Sequence, residues 1–284
     1  MRSLFNEAWQ WRFCRWTSLL TVGPGEEVHW QMPGTSLYLD LDLNEAIQMS
    51  LYYRGAFQPE TTYWVMQSVD RTALFIDAGA NIGLHTLRVA DYYRSKLAAA
   101  SQAMVLAFEP NPHIYSRLER NLRSNRLDDW VRAYPYALGQ FDERADFYLA
   151  AQENSLTGSL RSLGRANSQT GETVDVRVVP LSGFLASEIP SRRIGLIKMD
   201  IEGAELSALH GARSLLERDR PVLILEINPP VMQAFGYGFV DVWRLLRSLD
   251  YRMYRILPTR KLVGLHTDEW PAQATLGDVI CYPN

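Results

Sequence analysis

Acidic side chains follow several short apolar runs of this sequence, and three of them, Asp77, Glu109 and Asp200, are the residues best suited to bind a ligand. Each of these runs is closed by one acid, in turn Asp77, Glu109, Asp200 and Glu226. Runs that are apolar on both faces are typical of central strands in a parallel sheet that helices cover. Ligands of such sheets bind at the carboxyl ends of the strands, which is where these acids are predicted to lie.

A glycine-containing turn, Gly79-Ala80-Asn81-Ile82-Gly83, follows Asp77 and leads into a predicted helix. Its spacing differs from the G-x-G-x-x-G fingerprint that seats a pyrophosphate on a helix N-terminus. A carboxylate at the strand end would also repel phosphates, whereas it suits a ligand with a cationic amino-acid moiety. Glu109 is predicted to accept the two hydroxyls of a ribose. A purely structural turn and an exposed strand-end acid are the alternatives.

A second group of acids, Asp200, Glu202 and Glu205, falls within six residues of the chain. Mutual repulsion raises the pKa of at least one such carboxyl towards the value of a general base. Turn and cap chemistry, or an acid complementing a helix dipole, would explain the same residues. A divalent metal is a further alternative, but no His or Cys spacing supports it, and no metal is predicted.

Two other residues are candidates for the same site. Lys198 lies two positions before Asp200 and is predicted to tune these acids or to orient a substrate. His85 falls in the first turn of the helix after the glycine turn, where it either lines the site or is a plain helix position.

The alternation of apolar runs with helical stripes predicts an α/β fold with a doubly wound, Rossmann-like, mostly parallel sheet. Residues 1–70 are predicted to form an N-terminal extension that packs on this core, and residues 71–284 to form the main domain. Residues 173–179 and 145–150 are predicted strands, and the polar segment at 152–159 between them is either an active-site loop or a surface loop.

The overall composition limits the possible partners and compartments. The net charge of −3 argues against a dominant nucleic-acid-binding surface, and the 47% hydrophobic content is enough for a substantial core. The two cysteines, Cys14 and Cys281, match no metal or redox spacing and are expected to be free thiols. Neither a signal peptide nor a membrane span is recognised, so the protein is expected to be soluble and cytoplasmic. The oligomeric state is not predicted.

Three segments resemble the FkbM family of S-adenosylmethionine-dependent methyltransferases, in the family's order and over about residues 55–255. They are Phe75-Ile76-Asp77-Ala78-Gly79-Ala80-Asn81-Ile82-Gly83, Ala107-Phe108-Glu109-Pro110-Asn111-Pro112, and Ile197-Lys198-Met199-Asp200-Ile201-Glu202-Gly203-Ala204-Glu205. Where the family usually has a Glu before the glycine turn, this chain has Gln58. The resemblance implies the class I methyltransferase fold and a cofactor site made of Asp77, Gly79, Asn81, Gly83 and Glu109.

The expected activity is methyl transfer from S-adenosylmethionine to a hydroxyl of a small molecule, such as a sugar or a secondary metabolite. The family resemblance implies this acceptor class. The candidate catalytic residues are Asp200 and Glu202, with Lys198 and His85 beside them. N-methylation of an amide or a peptide side chain, a nicotinamide-dependent oxidoreductase and a non-catalytic cofactor-binding protein remain alternatives. Residues 1–50 match no part of the family pattern and are expected to influence the choice of acceptor.

Overall fold

The computed structural model describes residues 27–97, 104–149, 159–160, 172–189, 191–266 and 277–284. Its strands are β1 (Glu27–Gln31), β2 (Tyr38–Asp42), β3 (Leu74–Ala78), β4 (Val105–Phe108), β5 (Val131–Tyr134), β6 (Tyr136–Leu138), β7 (Glu143–Tyr148), β8 (Thr173–Val179), β9 (Ile194–Met199), β10 (Val222–Ile227), β11 (Tyr251–Ile256), β12 (Leu262–Leu265) and β13 (Gly277–Pro283). Its helices are α1 (Ala46–Arg54), α2 (Pro59–Ser68), α3 (Leu84–Lys96), α4 (Pro112–Ser124), α5 (Leu181–Glu188), α6 (Glu205–Gly211), α7 (Arg213–Asp219), α8 (Pro229–Ala234) and α9 (Phe239–Ser248).

The main sheet has eight strands in the order β12-β11-β13-β10-β9-β3-β4-β5. Strands β10, β9, β3, β4 and β5 run parallel, and β13 joins β10 and β11 in antiparallel fashion. The predicted doubly wound, mostly parallel sheet is therefore confirmed. The strand order reverses between β3 and β9, because the chain proceeds from β3 towards one edge and later returns to build the other half.

Two hydrophobic cores cover the two faces of this sheet. Along β3, Leu74 and Ile76 belong to one core, and Phe75 between them belongs to the other. Helices α5, α6, α7 and α9 contribute side chains to the first core, whereas α2, α3 and α4 contribute to the second. Burying one large apolar side chain contributes about 1.5–3 kcal/mol, so both faces hold the strands firmly in place.

Several local predictions can be compared with the structure. Asn111 followed by Pro112 predicts a helix start, and α4 begins there: the side-chain oxygen of Asn111 accepts the N–H groups of His113 and Ile114. The apolar residues Leu206, Leu209, Ala212 and Leu216 have the spacing of one continuous helix, but α6 and α7 meet at Ala212 instead. The preceding residue, Gly211, lies against the carbonyl of Gly139, a close approach that a side chain would prevent.

The region before the main sheet contributes the β1–β2 hairpin and helices α1 and α2. Leu39 and Leu41 of β2 are fully buried in the second core. The carboxamide of Asn125 pairs with both backbone polar groups of Tyr38, as a neighbouring strand would. The carboxamide of Asn121 accepts the N–H of Asp40 and donates to the carbonyl of Ile82, 2.9 Å away in both cases. Asn121 thus joins β2, α4 and the glycine turn.

Some predictions fall partly or wholly outside the described residues. Cys14 lies outside them, and Cys281 is a buried free thiol. Most of the polar segment at 152–159 also lies outside, but Ser159 pairs with Tyr148, and its hydroxyl donates to the carbonyl of Glu202 at 3.2 Å. Among the described residues, no helix is long and apolar enough to cross a membrane.

Candidate functional site

The candidate site lies where the strand order of the main sheet reverses. Asp77 is the second-to-last residue of β3, Glu109 follows β4, Asp200 follows β9 and Glu226 is near the end of β10. Since these strands are parallel neighbours, their carboxyl ends share one edge of the sheet. The structure therefore brings the predicted acids to the position where ligands bind in this type of fold.

The glycine turn at 79–83 uses all its backbone N–H groups within the protein. The N–H groups of Gly79 and Ala80 both donate to the carbonyl of Phe108, at 3.0 Å each. Asn81 donates to Oε2 of Glu109 at 2.9 Å, Ile82 to Oδ1 of Asn81, and Gly83 to the carbonyl of Ala80. Backbone N–H groups that cradle a phosphate must point at the ligand. This turn has none to offer.

Gly79 and Gly83 are required for packing between protein segments. Gly79 has a φ of 75°, and a Cβ on it would lie 1.8 Å from the carbonyl oxygen of Asp200. A Cβ on Gly83, which has a φ of 99°, would overlap the side chains of Leu87 and Leu118. These glycines therefore allow close packing, at the β9 turn and in the second core, while their contact with a cofactor stays a prediction.

Glu109 is buried, and it links two backbone segments. Its Oε2 accepts the N–H of Asn81, and its Oε1 accepts the N–H of Asn111, both at 2.9 Å. Burial raises the pKa of Glu109 to about 7, although these two hydrogen bonds act in the opposite direction. Each carboxylate oxygen keeps a further lone pair, so Glu109 can still accept hydrogen bonds from a ligand.

Lys198 points into the site and is surrounded by acids. Its Nζ lies 3.5 Å from Oδ2 of Asp200 and 3.9 Å from Oδ1 of Asp77. Burial lowers the pKa of Lys198, but the charges of Asp200 and Asp77 outweigh it, and the pKa lies above its ordinary value. Burial raises the pKa of Asp77, against the attraction of Lys198 and a 2.6 Å hydrogen bond from the hydroxyl of Thr86.

His85 is buried in the first turn of α3, and its Nε2 lies 3.1 Å from the hydroxyl of Thr62 in α2. Burial lowers the pKa of His85 well below 6.5, and the charges of Lys198 and Arg88 act in the same direction. The imidazole is therefore neutral near pH 7. It can donate or accept a hydrogen bond in the site, but it carries no charge there.

The loop after β9 carries the second group of acids. One oxygen each of Asp200, Glu202 and Glu226 lie within 4.8 Å of one another. Glu205 has a different place: its Oε1 accepts the N–H groups of Ile201 and Gly203, and its Oε2 accepts the hydroxyl of Tyr237. Burial raises the pKa of Glu205. Glu205 therefore fixes the loop on which Asp200 and Glu202 are carried.

Several polar residues of this edge were not selected from the sequence. The hydroxyl of Thr61 donates to Asp278 of β13, which is the register partner of Glu226. Glu226 itself ends an apolar run in the way Asp77 does, so its pattern could have identified it. Thr61 and Asp278 are 217 positions apart and share no local signal.

The fold and the site define a class of protein, namely a Rossmann-like domain in which the turn after the first parallel strand is not a phosphate-binding loop. The family profile described as Methyltransferase FkbM domain matches residues 77–253. The chain belongs to the FkbM methyltransferase family, as the three sequence segments predicted.

Individual relatives were also found. The chain is 33% identical over 153 residues to Methyltransferase 1 of Beauveria bassiana, a match covering 49% of this chain and 58% of that protein. It is 26% identical over 160 residues to the hexuronic acid methyltransferase AglP of Haloferax volcanii, covering 56% and 58% of the two chains. The matches thus span less than two thirds of these two relatives.

A solved structure of an FkbM methyltransferase from Methylobacillus flagellatus is also similar. It has 18% sequence identity and a TM-score of 0.47, and the match covers 83% of this chain and 52% of that chain.

Proposed function

We propose that this protein transfers a methyl group from S-adenosylmethionine to a hydroxyl of a small molecule. The observation that carries the proposal is the closed hydrogen-bond network of the glycine turn beside the buried Asp77. A dinucleotide would need free N–H groups for its pyrophosphate, and the turn offers none. A ligand made of a nucleoside and an amino acid has no such requirement. Membership of the FkbM family supports the same activity.

The residues at the strand ends suit the parts of this cofactor. Glu109 would accept the ribose hydroxyls with its remaining lone pairs. Phe108 and Tyr134 stack where β4 and β5 end, and Phe184 lies edge-on to both rings. The partly buried Tyr134 and Phe184 would lie beside the adenine. Asp77 would favour the cationic end of the cofactor, and Gly79, Asn81 and Gly83 would hold the turn in shape.

When bound, S-adenosylmethionine supplies an electrophilic methyl group, and the electron pair of the broken S–C bond stays on sulfur. The protein must hold the acceptor oxygen in line with that methyl group and must receive the acceptor's proton. Asp200 and Glu202 lie on the loop after β9 and are the proposed proton acceptors. Lys198 would fix the position of Asp200 through their 3.5 Å contact, and neutral His85 would orient the acceptor.

The acceptor class is proposed on weaker grounds than the reaction. One relative is named a hexuronic acid methyltransferase, which supports a sugar-like acceptor with hydroxyl groups. N-methylation would place an amide or amine at the same position. The hydrogen-bonded turn argues against the oxidoreductase alternative, and a non-catalytic protein would have no need of the acids after β9.

The first test of the proposed function is cofactor choice. We expect the full chain to bind S-adenosylhomocysteine in a one-to-one complex and to show no binding of NAD. Isothermal titration calorimetry with both compounds measures this directly. NAD binding without any response to S-adenosylhomocysteine would refute the methyltransferase assignment.

The pKa of Glu109 predicts how cofactor binding depends on pH. The ribose hydroxyls donate to the carboxylate, which predominates above the pKa of about 7. Below that pH, binding requires Glu109 to lose its proton. The affinity for S-adenosylhomocysteine should therefore fall by up to about tenfold for each pH unit below 7. Above pH 7 the affinity should be constant.

Calorimetry between pH 5.5 and 8.5 tests this prediction, with Glu109→Gln as the control. The amide does not titrate, so the variant should bind more weakly, by about 1.5–3 kcal/mol, and with a flat pH profile. Glu109→Gln should also lower the unfolding free energy, since its NH₂ group faces one of the two N–H donors. A variant with the same pH profile as the unaltered protein would show that another group is responsible.

A further inference from the structure

Arg88 of α3 is a cation near the candidate site that was not selected from the sequence. It lies three positions after His85, so the two side chains share one face of the helix. That face is turned towards α2, because Nε2 of His85 lies 3.1 Å from the hydroxyl of Thr62. The charge of Arg88 acts on the imidazole of His85, which places the guanidinium beside this part of the site.

The guanidinium of Arg88 has no acidic partner within the described part of the chain. The side chain is partly buried, and its Nε is shielded from solvent without an acceptor for its hydrogen. Arg88 forms neither an ion pair nor a hydrogen bond with another described residue. Burial lowers the pKa of Arg88, and no acid opposes this effect. Since buried cations are normally paired, this arrangement favours an anion as the missing partner.

Lys198 also acts on His85, but its charge is already compensated. Its Nζ lies 3.5 Å from Oδ2 of Asp200 and 3.9 Å from Oδ1 of Asp77. The uncompensated positive charge near His85 is therefore that of Arg88. A negatively charged group of a ligand is attracted to this side of the site, whereas the strand ends on the other side carry carboxylates.

We propose that Arg88 binds a carboxylate of the acceptor, and that the protein therefore methylates acidic small molecules. This inference rests on the proposed function and names its substrate class. The N–H groups of a guanidinium form a planar fork that matches the two oxygens of a carboxylate. His85, one helical turn closer to the glycine turn, then lies between the acid group of the acceptor and the cofactor.

The cofactor has a carboxylate of its own, but its amino-acid end is expected beside Asp77. Lys198 supplies a cation there, 3.9 Å from Asp77. Arg88 lies about 4.5 Å farther along the helix axis from the glycine turn than His85, at 1.5 Å per residue. The cofactor carboxylate therefore has Lys198 as its cation, and the acceptor is the source of the anion at Arg88.

Acetate is a suitable probe, because it presents a carboxylate without the rest of an acceptor. Acetamide has a similar shape but no charge and is the matched control. The full chain is titrated with each compound at constant ionic strength, both alone and saturated with S-adenosylhomocysteine. NMR signals of the arginine side chains and of the α3 backbone are recorded. We expect acetate, but not acetamide, to shift the signals of Arg88 and its neighbours in a saturable manner in both states.

Two variants show whether Arg88 itself is responsible. Arg88→Met has a side chain of similar shape without charge, and its α3 signals should no longer respond to acetate. Arg88→Lys keeps the charge but lacks the fork, and acetate affinity should be weaker by about tenfold. Circular dichroism establishes that both variants are folded. An unchanged response to acetate in Arg88→Met, or no saturable response in the unaltered protein, would overturn the proposal.

A calorimetric experiment separates the acceptor from the cofactor as the source of the carboxylate. It compares S-adenosylhomocysteine with methylthioadenosine, which lacks the amino-acid end, in the unaltered protein and in Arg88→Met. We expect both affinities to be unchanged by the substitution. A loss of about tenfold or more for S-adenosylhomocysteine alone would assign Arg88 to the cofactor and overturn the proposal. If S-adenosylhomocysteine does not bind even to the unaltered protein, the proposed function is refuted, while the acetate titration still decides whether Arg88 is an anion site.

Discussion

Gly79→Ala is expected to destabilise this protein much more than the same substitution at a glycine with a similar φ but no close neighbour. A Cβ at this position would lie 1.8 Å from the carbonyl oxygen of Asp200. The carbonyl is part of the backbone and the backbone fixes the position of the Cβ, so relief requires the turns after β3 and β9 to move apart. The left-handed conformation costs about 1–2 kcal/mol for a residue with a side chain, and overpacking adds about 1–3 kcal/mol or more.

Gly34→Ala is the matched control for this prediction. Gly34 has a φ of 74°, close to the 75° of Gly79, but a Cβ there would meet nothing within 4 Å. The decrease in unfolding free energy for Gly34→Ala should therefore be limited to the conformational cost of about 1–2 kcal/mol. Urea unfolding of both variants measures the difference. An equal decrease in unfolding free energy for the two variants would mean that the backbone at Asp200 moves away from the new Cβ without an energetic penalty. We also expect Gly79→Ala to weaken binding of S-adenosylhomocysteine, because the turn carries Asn81.

Lys198→Met is expected to lower the unfolding free energy by about 3–5 kcal/mol, the range for removing one partner of a buried ion pair. The lysine is 4% exposed, and its Nζ is within 4 Å of two carboxylates. Its replacement leaves Asp77 buried without a counter-charge. Adding Asp77→Asn to Lys198→Met should restore a large part of the loss, because the amide carries no charge.

Arg213→Met provides the comparison at the surface. Arg213 pairs with Glu217 at 2.9 Å, but both side chains are about half exposed. Solvent screening limits the contribution of such a pair to about 0–1 kcal/mol. Thermal or urea unfolding of the three variants therefore tests whether burial decides the effect. If Lys198→Met lowers the unfolding free energy no more than Arg213→Met does, the fold tolerates Asp77 and Asp200 without the charge of the lysine.

The fold could be predicted from the sequence because the signals that define it are local. Apolar runs ending at Asp77, Glu109 and Asp200 marked the parallel strands, and the same runs placed the acids at one edge. The direction of Lys198 could not be predicted in this way. Every residue of β9 is buried, so the alternation that distinguishes the faces of a half-exposed strand is absent.

Contacts between distant segments account for the rest of what the sequence did not predict. Glu226 joins Asp200 and Glu202 only because β10 lies beside β9, and the pairing of Thr61 with Asp278 depends on β13. The sequence predicts Gly79 as part of the cofactor site, and the structure adds that the backbone after β9 lies directly against it. A local pattern identifies that a glycine is needed, but only the tertiary structure shows what it accommodates.

The carboxamide of Asn121 has a consequence for engineering. It connects the backbone of β2 with the turn that follows β3, so the first described hairpin and the predicted cofactor site share one side chain. Chimeras that exchange N-terminal regions between relatives, as a way to change the acceptor, would separate these partners. An exchange that transfers β2 together with the helix carrying Asn121 keeps the junction whole, and crossover points should be chosen accordingly.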